Sequence, residues 1–113
     1  MTIFESGHGS PDLPGALTTW FAENEAVLRT RGVTAELRHS PEDGRLKNSA
    51  WLTVETGNRV TQITVWNSGE AALDFVDLDS GDNRPEHRDL RTEQELYVLL
   101  GSVSDWIVLG TSG

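Results

Sequence analysis

Residues 60–78, VTQITVWNSGEAALDFVDL, decide the fold because they encode a β-hairpin. The first arm, residues 60–66, is rich in β-branched side chains, which favour extended strands. Residues 67–69 (NSG) form a turn signal, and their glycine can adopt a positive φ angle. The chain then resumes as a second strand over residues 70–78. This hairpin predicts an antiparallel sheet.

Trp66 is the most unusual residue of the hairpin. Side chains alternate between the two faces of a strand, so Trp66 is predicted to point away from the face that carries Ile63 and Val65. The neighbouring strand carries Asp74 and Asp77. An outward tryptophan beside an acidic strand suggests a recognition surface.

Two further strands precede the hairpin. Apolar residues alternate with polar ones over residues 33–38 and again over residues 50–55, a pattern typical of half-buried strands. A polar loop, residues 40–48, separates them. Residues 57–58 (GN) predict a tight turn from the second strand into the third.

Helices are predicted at both ends of the sheet. Apolar residues at helical spacing predict a helix over residues 13–31, which Gly32 ends. Residues 92–95 (TEQE) match a capping box, in which Thr92 caps a helix and Glu95 reaches back to a backbone N–H. The second helix should span residues 93–108.

The order of these elements predicts a two-layer α+β fold, α-β-β-β-β-(β)-α. Residues 79–83 should end the fourth strand, and residues 86–90 form a short candidate fifth strand at the edge. Short links between strands favour an antiparallel meander of four to five strands, with both helices on one face. The expected organisation is a flexible N-terminal arm (1–12), a single domain (13–109) and a frayed C-terminus (110–113).

Composition restricts the possible partners. The chain of 113 residues is 36% hydrophobic and carries a net charge of −9, which fits one folded acidic domain. Nucleic acids and anionic membranes would repel such a protein, so neither is an expected partner. A basic partner is compatible with the charge, although acidity also serves general solubility.

Localisation and cofactors can be addressed by what the sequence lacks. It contains no cysteine, no apolar run long enough to cross a membrane and no pattern of a signal peptide near its first residue. A cytoplasmic location is therefore expected. The three histidines are isolated in the sequence, so neither a metal site nor a cofactor is predicted.

The face opposite the helices should carry two tryptophans close together. Strands two and three are hairpin partners, so Trp51 and Trp66 should be neighbours there. Tryptophan is enriched among interface hot spots, which favours a partner. The alternative is that the termini or the loop 40–48 cover both rings. The predicted outward residues are Glu36, Arg38, Trp51, Thr53, Glu55, Gln62, Thr64 and Trp66.

Acidic residues are concentrated in the second half of the chain. Residues 70–95 contain nine acids and three arginines, so this window carries −6 of the total charge of −9. Such a concentration can steer a basic partner, and a solvated strand edge explains it equally well.

No catalytic motif emerges from the sequence. Residues 77–82 (DLDSGD) faintly resemble a calcium loop, but the sixth position is Asp82 instead of glycine and the closing position is Arg88. His87 and Asp89 could hydrogen-bond on one strand face, but no nucleophile or substrate pocket accompanies them.

Taken together, these segments resemble the TriTu family of bacterial immunity proteins from polymorphic toxin systems. The resemblance rests on residues 17–38 (LTTWFAENEAVLRTRGVTAELR), 49–52 (SAWL), 63–70 (ITVWNSGE) and 86–90 (EHRDL). It covers most of residues 13–108. It implies a cytoplasmic antitoxin that binds a cognate protein toxin and blocks it without chemistry of its own. The acidic charge would suit a toxin with a basic site, such as a nuclease.

The sequence thus predicts a toxin-neutralising protein, monomeric or homodimeric, with a defined binding surface. Two alternatives remain open. One is a homodimeric ligand-binding domain that pairs through the open sheet face, and the other is an enzyme built around His87 and Asp89. The predicted partner-binding residues are Trp51, Trp66, Glu36, Arg38, Glu55, Glu70 and Asp74.

Overall fold

A computed structural model describes residues 12–40 and 49–109 of the chain. The predicted N-terminal arm up to residue 11, the loop 41–48 and the C-terminal residues 110–113 lie outside the described residues.

The described chain forms an α+β fold with one antiparallel sheet, as predicted. Its elements are α1 (Leu13–Thr30), β1 (Thr34–His39), β2 (Ser49–Glu55), β3 (Arg59–Trp66), β4 (Glu70–Asp77), β5 (Asp82–Asp89) and α2 (Glu93–Leu109). The strands follow the order β1-β2-β3-β4-β5, and each pairs antiparallel with its neighbours in the sequence. The sheet is therefore an open meander.

Both helices begin at side-chain caps. The Asp12 carboxylate accepts a hydrogen bond from the N–H of Gly15 at 3.1 Å at the start of α1. At α2 the N–H of Glu95 donates to Thr92 Oγ1 at 3.1 Å, which confirms the predicted cap. The Glu95 carboxylate accepts from the N–H of Arg91 at 2.6 Å, one residue before Thr92. The capping box is thus present, but the Glu95 carboxylate bonds to the N–H of Arg91 instead of the N–H of Thr92.

The core lies between one sheet face and the two helices. Helix α1 contacts β1, β2 and β3, and α2 contacts α1 and β3. Alternate strand positions point into this layer and are buried: Ala50, Leu52, Val54, Thr61, Ile63, Val65, Ala71, Leu73 and Phe75. This alternation is what a two-layer fold requires, since each strand covers the core with one face only. Within the described residues, neither helix is long and apolar enough to cross a membrane.

Strand β5 is longer than the sequence predicted. The expected loop over residues 79–83 is wrong, because the turn ends at Gly81, with φ of 80°, and the strand starts at Asp82. All eight residues of β5 are polar, charged or proline, so no apolar alternation marks it. Pro85 is tolerated because an edge strand has one side without ladder hydrogen bonds.

The turn at residues 67–69 contacts the link between β5 and α2. Gly69 has a φ of 101°, and a Cβ added there would lie 3.0 Å from the carbonyl oxygen of Leu90. The N–H of Leu90 in turn donates to the Gly69 carbonyl at 2.7 Å. Glycine is therefore required both by the backbone conformation and by the close approach of the link between β5 and α2.

Candidate binding face on the open side of the sheet

The seven predicted partner-binding residues all lie on one face of the sheet. We call this side, opposite to α1 and α2, the open face. The register aligns its side chains in rows across the strands, such as Arg38, Trp51, Thr64, Ala72 and His87. The next row consists of Glu36, Thr53, Gln62, Asp74 and Pro85. The register therefore places these residues on the same side of the sheet.

Trp51 and Trp66 are diagonal neighbours on the open face. Thr64 on β3 lies opposite Trp51 on β2. Trp66, two residues after Thr64 on β3, lies opposite Ser49 on β2. Side chains in this diagonal relation have backbones about 7–8 Å apart, within reach of two indole rings. Both tryptophans are partly exposed. They therefore form a partly exposed pair on this face.

The other two tryptophans are placed differently. Trp20 and Trp106 pack against the hydrophobic core on the helix side of the sheet. Trp106 meets Phe75 edge to face, with ring centroids 5.2 Å apart, and the Arg59 guanidinium lies 4.4 Å from its ring centroid. Trp51 and Trp66 do not belong to this packed set. Core packing thus accounts for Trp20 and Trp106, whereas Trp51 and Trp66 lie outside the packed core.

The open face is acidic. Its register positions hold five carboxylates and one guanidinium, namely Glu36, Glu55, Glu70, Asp74, Asp89 and Arg38. Arg38 donates to the Glu36 carboxylate at 3.3 Å, and Ser68 Oγ donates to Glu70 Oε1 at 2.9 Å. The face consequently carries a net charge of −4 within an overall charge of −9. It would attract a basic surface.

Asp74 occupies the middle of the acidic face. It lies between Gln62 on β3 and Pro85 on β5, and its side chain is partly buried. Its Oδ1 atom is buried and accepts no hydrogen bond from any described residue. An acceptor left in this way destabilises the folded state by about 1–3 kcal/mol. The unpaired Oδ1 atom of Asp74 therefore lowers the stability of the folded protein.

Sequence reasoning missed several apolar members of the open face. Val60, Ala72 and Val76 point to this side and are partly buried. Because side chains alternate between the two faces of a strand, the sequence could have assigned Ala72 and Val76 to the same face as Asp74. Ala72 lies in the same row as Trp51, whereas Val60 and Val76 lie opposite each other two rows away.

The residues of the enzyme alternative also lie on the open face. His87 and Asp89 sit two residues apart on β5, and both are exposed. Among the described residues, no group of three or more His, Asp or Glu side chains is placed to hold a metal ion. The segments suggested as covers for the tryptophans, the chain termini and the loop 41–48, lie outside the described residues.

A groove on the opposite side of the sheet was not expected from the sequence. It has a volume of about 620 Å³ and lies between α2 and the helix-side face of β5. Phe75, Leu99 and Trp106 contribute its apolar part, and Arg84 and Arg88 line the β5 side. Both arginines bond to Glu86, at 3.1 and 2.9 Å. Neither Trp51 nor Trp66 lines this groove.

A comparison with protein families identifies what this fold belongs to. The family model of the immunity protein TriTu matches residues 16–106, from α1 to the last turns of α2. The chain belongs to the TriTu family of immunity proteins. Membership implies a toxin-neutralising function and a toxin as the partner. A comparison with curated proteins gives no match. In this TriTu protein, the matched residues include all seven of the predicted partner-binding positions.

Proposed function

We propose that this TriTu protein neutralises a cognate bacterial toxin by binding it through the open face of the sheet. Trp51 and Trp66 would be the anchors, each inserting an indole ring into the toxin surface. Charged residues surround this pair and would set the orientation of the complex: Glu36, Arg38, Glu55, Glu70 and Asp74.

The tryptophan pair carries the proposal. The described helices lie on the other side of the sheet, so the pair is in the layer that no described element covers. Hot spots of protein interfaces are enriched in tryptophan and are surrounded by residues that exclude water. Thr64 and Ala72, which lie in the same row as Trp51, flank the pair on this face. A sheet face of this type suits the occlusion of an active site or a substrate groove.

The charge of the face indicates a basic toxin surface. Five carboxylates against one guanidinium would accelerate the encounter with a cationic site. Enzymes that bind nucleic acids carry such sites, because they neutralise phosphates with lysine and arginine. We therefore propose a nuclease as the toxin class, which the protein would inhibit by blocking access of the substrate.

Co-expression with the toxin encoded next to this protein tests the proposal. The native protein should restore growth and co-purify with the toxin. The double variant Trp51→Ala/Trp66→Ala should lose both effects while keeping its circular dichroism spectrum. Val98→Ala is the matched control, since Val98 is 62% exposed on α2, on the other side of the molecule.

Growth rescue by the variants distinguishes toxin binding at the open face from toxin binding at the α2–β5 groove. Rescue by the tryptophan double variant would overturn the proposal, and loss of rescue in the Val98 variant alone would place the toxin in the α2–β5 groove. For the nuclease class, the association rate should fall steeply with salt, and substrate nucleic acid should compete with the immunity protein. A rate independent of salt would contradict a basic toxin surface.

A further inference from the structure

The two edge strands of the sheet differ in how well they are protected from pairing. In β5, Pro85 interrupts the edge, and charged side chains occupy both faces of the strand. Proline and charges of this kind prevent a further strand from adding to an edge. Strand β1, TAELRH, contains no proline, and its charges lie mainly on one face. Among the described strands, β1 is therefore the edge that can accept another strand.

Backbone groups of β1 are oriented for such pairing. The N–H of Ser40 donates to the Ser49 carbonyl at 2.9 Å and so points toward β2. Backbone groups alternate in direction along a strand, so those of Glu36 and Arg38 also point toward β2. The N–H and C=O groups of Ala35, Leu37 and His39 consequently face the outer edge.

We propose that β1 pairs antiparallel with β1 of a second copy of this chain, about a two-fold axis at Leu37. The two five-stranded sheets would then join into one continuous sheet. Leu37 would exchange two backbone hydrogen bonds with Leu37 of the second copy. Ala35 would do the same with His39 of the second copy. This proposal does not rest on the toxin-binding function of the open face.

Charge selects the register. With the axis at Leu37, Glu36 of each copy lies directly opposite Arg38 of the other copy, on the open face. A shift of the axis to Glu36 sets the two Glu36 side chains against each other, and a shift to Arg38 does so for the two arginines. Opposite charges across strands are stabilising, and like charges directly opposite are destabilising. The axis at Leu37 is the only one of these three that avoids repulsion.

The charge pairs would form at the closer type of cross-strand position. The outward backbone groups belong to Leu37, so Glu36 and Arg38 occupy non-hydrogen-bonded positions, where Cα atoms of opposite residues are about 4.5 Å apart. Within one chain the two side chains make a 3.3 Å contact and remain about 60% exposed. Exposed pairs of this kind contribute little and can exchange partners.

Helix α1 presents a small residue at the level of the axis. His39 Nε2 lies 2.8 Å from Thr18 Oγ1, which fixes the height of α1 over β1. Two strand residues, from His39 to Leu37, span about the same length as four helical residues. Ala22 is four residues after Thr18, on the same flank, and is exposed. Its short side chain would let the two copies of α1 approach each other above the joined strands.

The dimer would also extend the open face. A two-fold axis perpendicular to the sheet keeps both open faces on the same side, so two tryptophan pairs would lie on one surface. Each pair would remain accessible to its own toxin molecule.

Reversing the charge of Glu36 or Arg38 tests the proposed dimer. The readout is the molecular mass of the protein in solution. Sedimentation equilibrium of the native protein should show a concentration-dependent dimer. Glu36→Arg and Arg38→Glu should each raise the dissociation constant by about tenfold or more, because both cross-strand pairs become repulsive. An equimolar mixture of the two variants should form a heterodimer, since every arginine then faces a glutamate. The double variant E36R/R38E should dimerise as the native chain does.

Controls keep the outcome independent of folding. Arg91→Glu, an exposed position beyond β5, carries the same charge change as Arg38→Glu and should leave the dimer intact. Circular dichroism should be the same for all variants, and heterodimer formation itself requires both single variants to be folded. A native protein that stays monomeric from micromolar to millimolar concentration would overturn the proposal. A native dimer that tolerates both single reversals would also overturn it.

Discussion

Two tryptophans lie on the helices that cover one side of the sheet and two lie on its open face, and comparing the pairs separates stability from proposed binding. On the helix side, Trp20 and Trp106 pack against the core, and Trp106 contacts both Phe75 and Arg59. On the open face, Trp51 and Trp66 form a partly exposed pair among carboxylates. The same residue type therefore serves the fold on one face and, in our proposal, a toxin on the other.

The largest expected effect is a difference in stability between the two tryptophan pairs. Trp106→Ala should lower the free energy of unfolding by about 3 kcal/mol, since it removes the packing against Phe75 and Arg59. Trp66→Ala should lower it by less than about 1 kcal/mol, as expected for a residue outside the core. Urea denaturation of both variants measures the difference. Equal losses would remove the distinction between the two faces.

The second-largest effect on stability is expected at Gly69, in the turn between β3 and β4. Gly69→Ala should destabilise the protein by about 2 kcal/mol, since φ at this position is 101° and the new methyl group meets the Leu90 carbonyl. The matched control is Gly57→Ala, where the added Cβ meets nothing within 4 Å. Thermal unfolding of the two variants would show whether the hairpin turn braces the link to α2. A Gly69 variant as stable as the Gly57 variant would contradict this account.

The comparison also shows what the sequence could predict. Alternation of apolar and polar residues was sufficient for β1 to β4 and for the side on which Trp51 and Trp66 lie, because one face of each strand covers a core. It failed for β5, which has only polar residues and Pro85, since an edge strand needs no apolar face. Strand β5 is held by its pairing with β4, a tertiary interaction that the local sequence does not encode.

The sequence could predict which residues share the open face and that Trp51 and Trp66 are neighbours, but not their exact register. Parity placed Glu36, Arg38 and Trp51 on one face, and the register from one strand to the next was needed to show Trp66 diagonal to Trp51. The unpaired Oδ1 of Asp74 and the α2–β5 groove depend on how side chains pack in three dimensions. No spacing in the sequence carries that information.

The smallest effects concern two buried oxygen atoms, one on each face. Thr61 is fully buried on the helix side, and its Oγ1 has no hydrogen-bond partner among the described residues, as is true of Asp74 Oδ1 on the open face. Thr61→Val and Asp74→Asn should each leave the free energy of unfolding unchanged or raise it by up to about 1 kcal/mol. Only the Asp74 variant should weaken toxin binding, since it removes a charge from the proposed interface. Calorimetry with the toxin separates the two variants, and equal affinities would exclude Asp74 from the site.

Toxin affinity measured for the single variants Trp51→Ala and Trp66→Ala tests the central claim most directly. Isothermal titration should show dissociation constants raised by about 30-fold or more for each, the size expected of interface hot spots, while Val98→Ala binds as the native protein does. If both tryptophan variants bind the toxin within about threefold of the native affinity, the open face is not the toxin-binding surface.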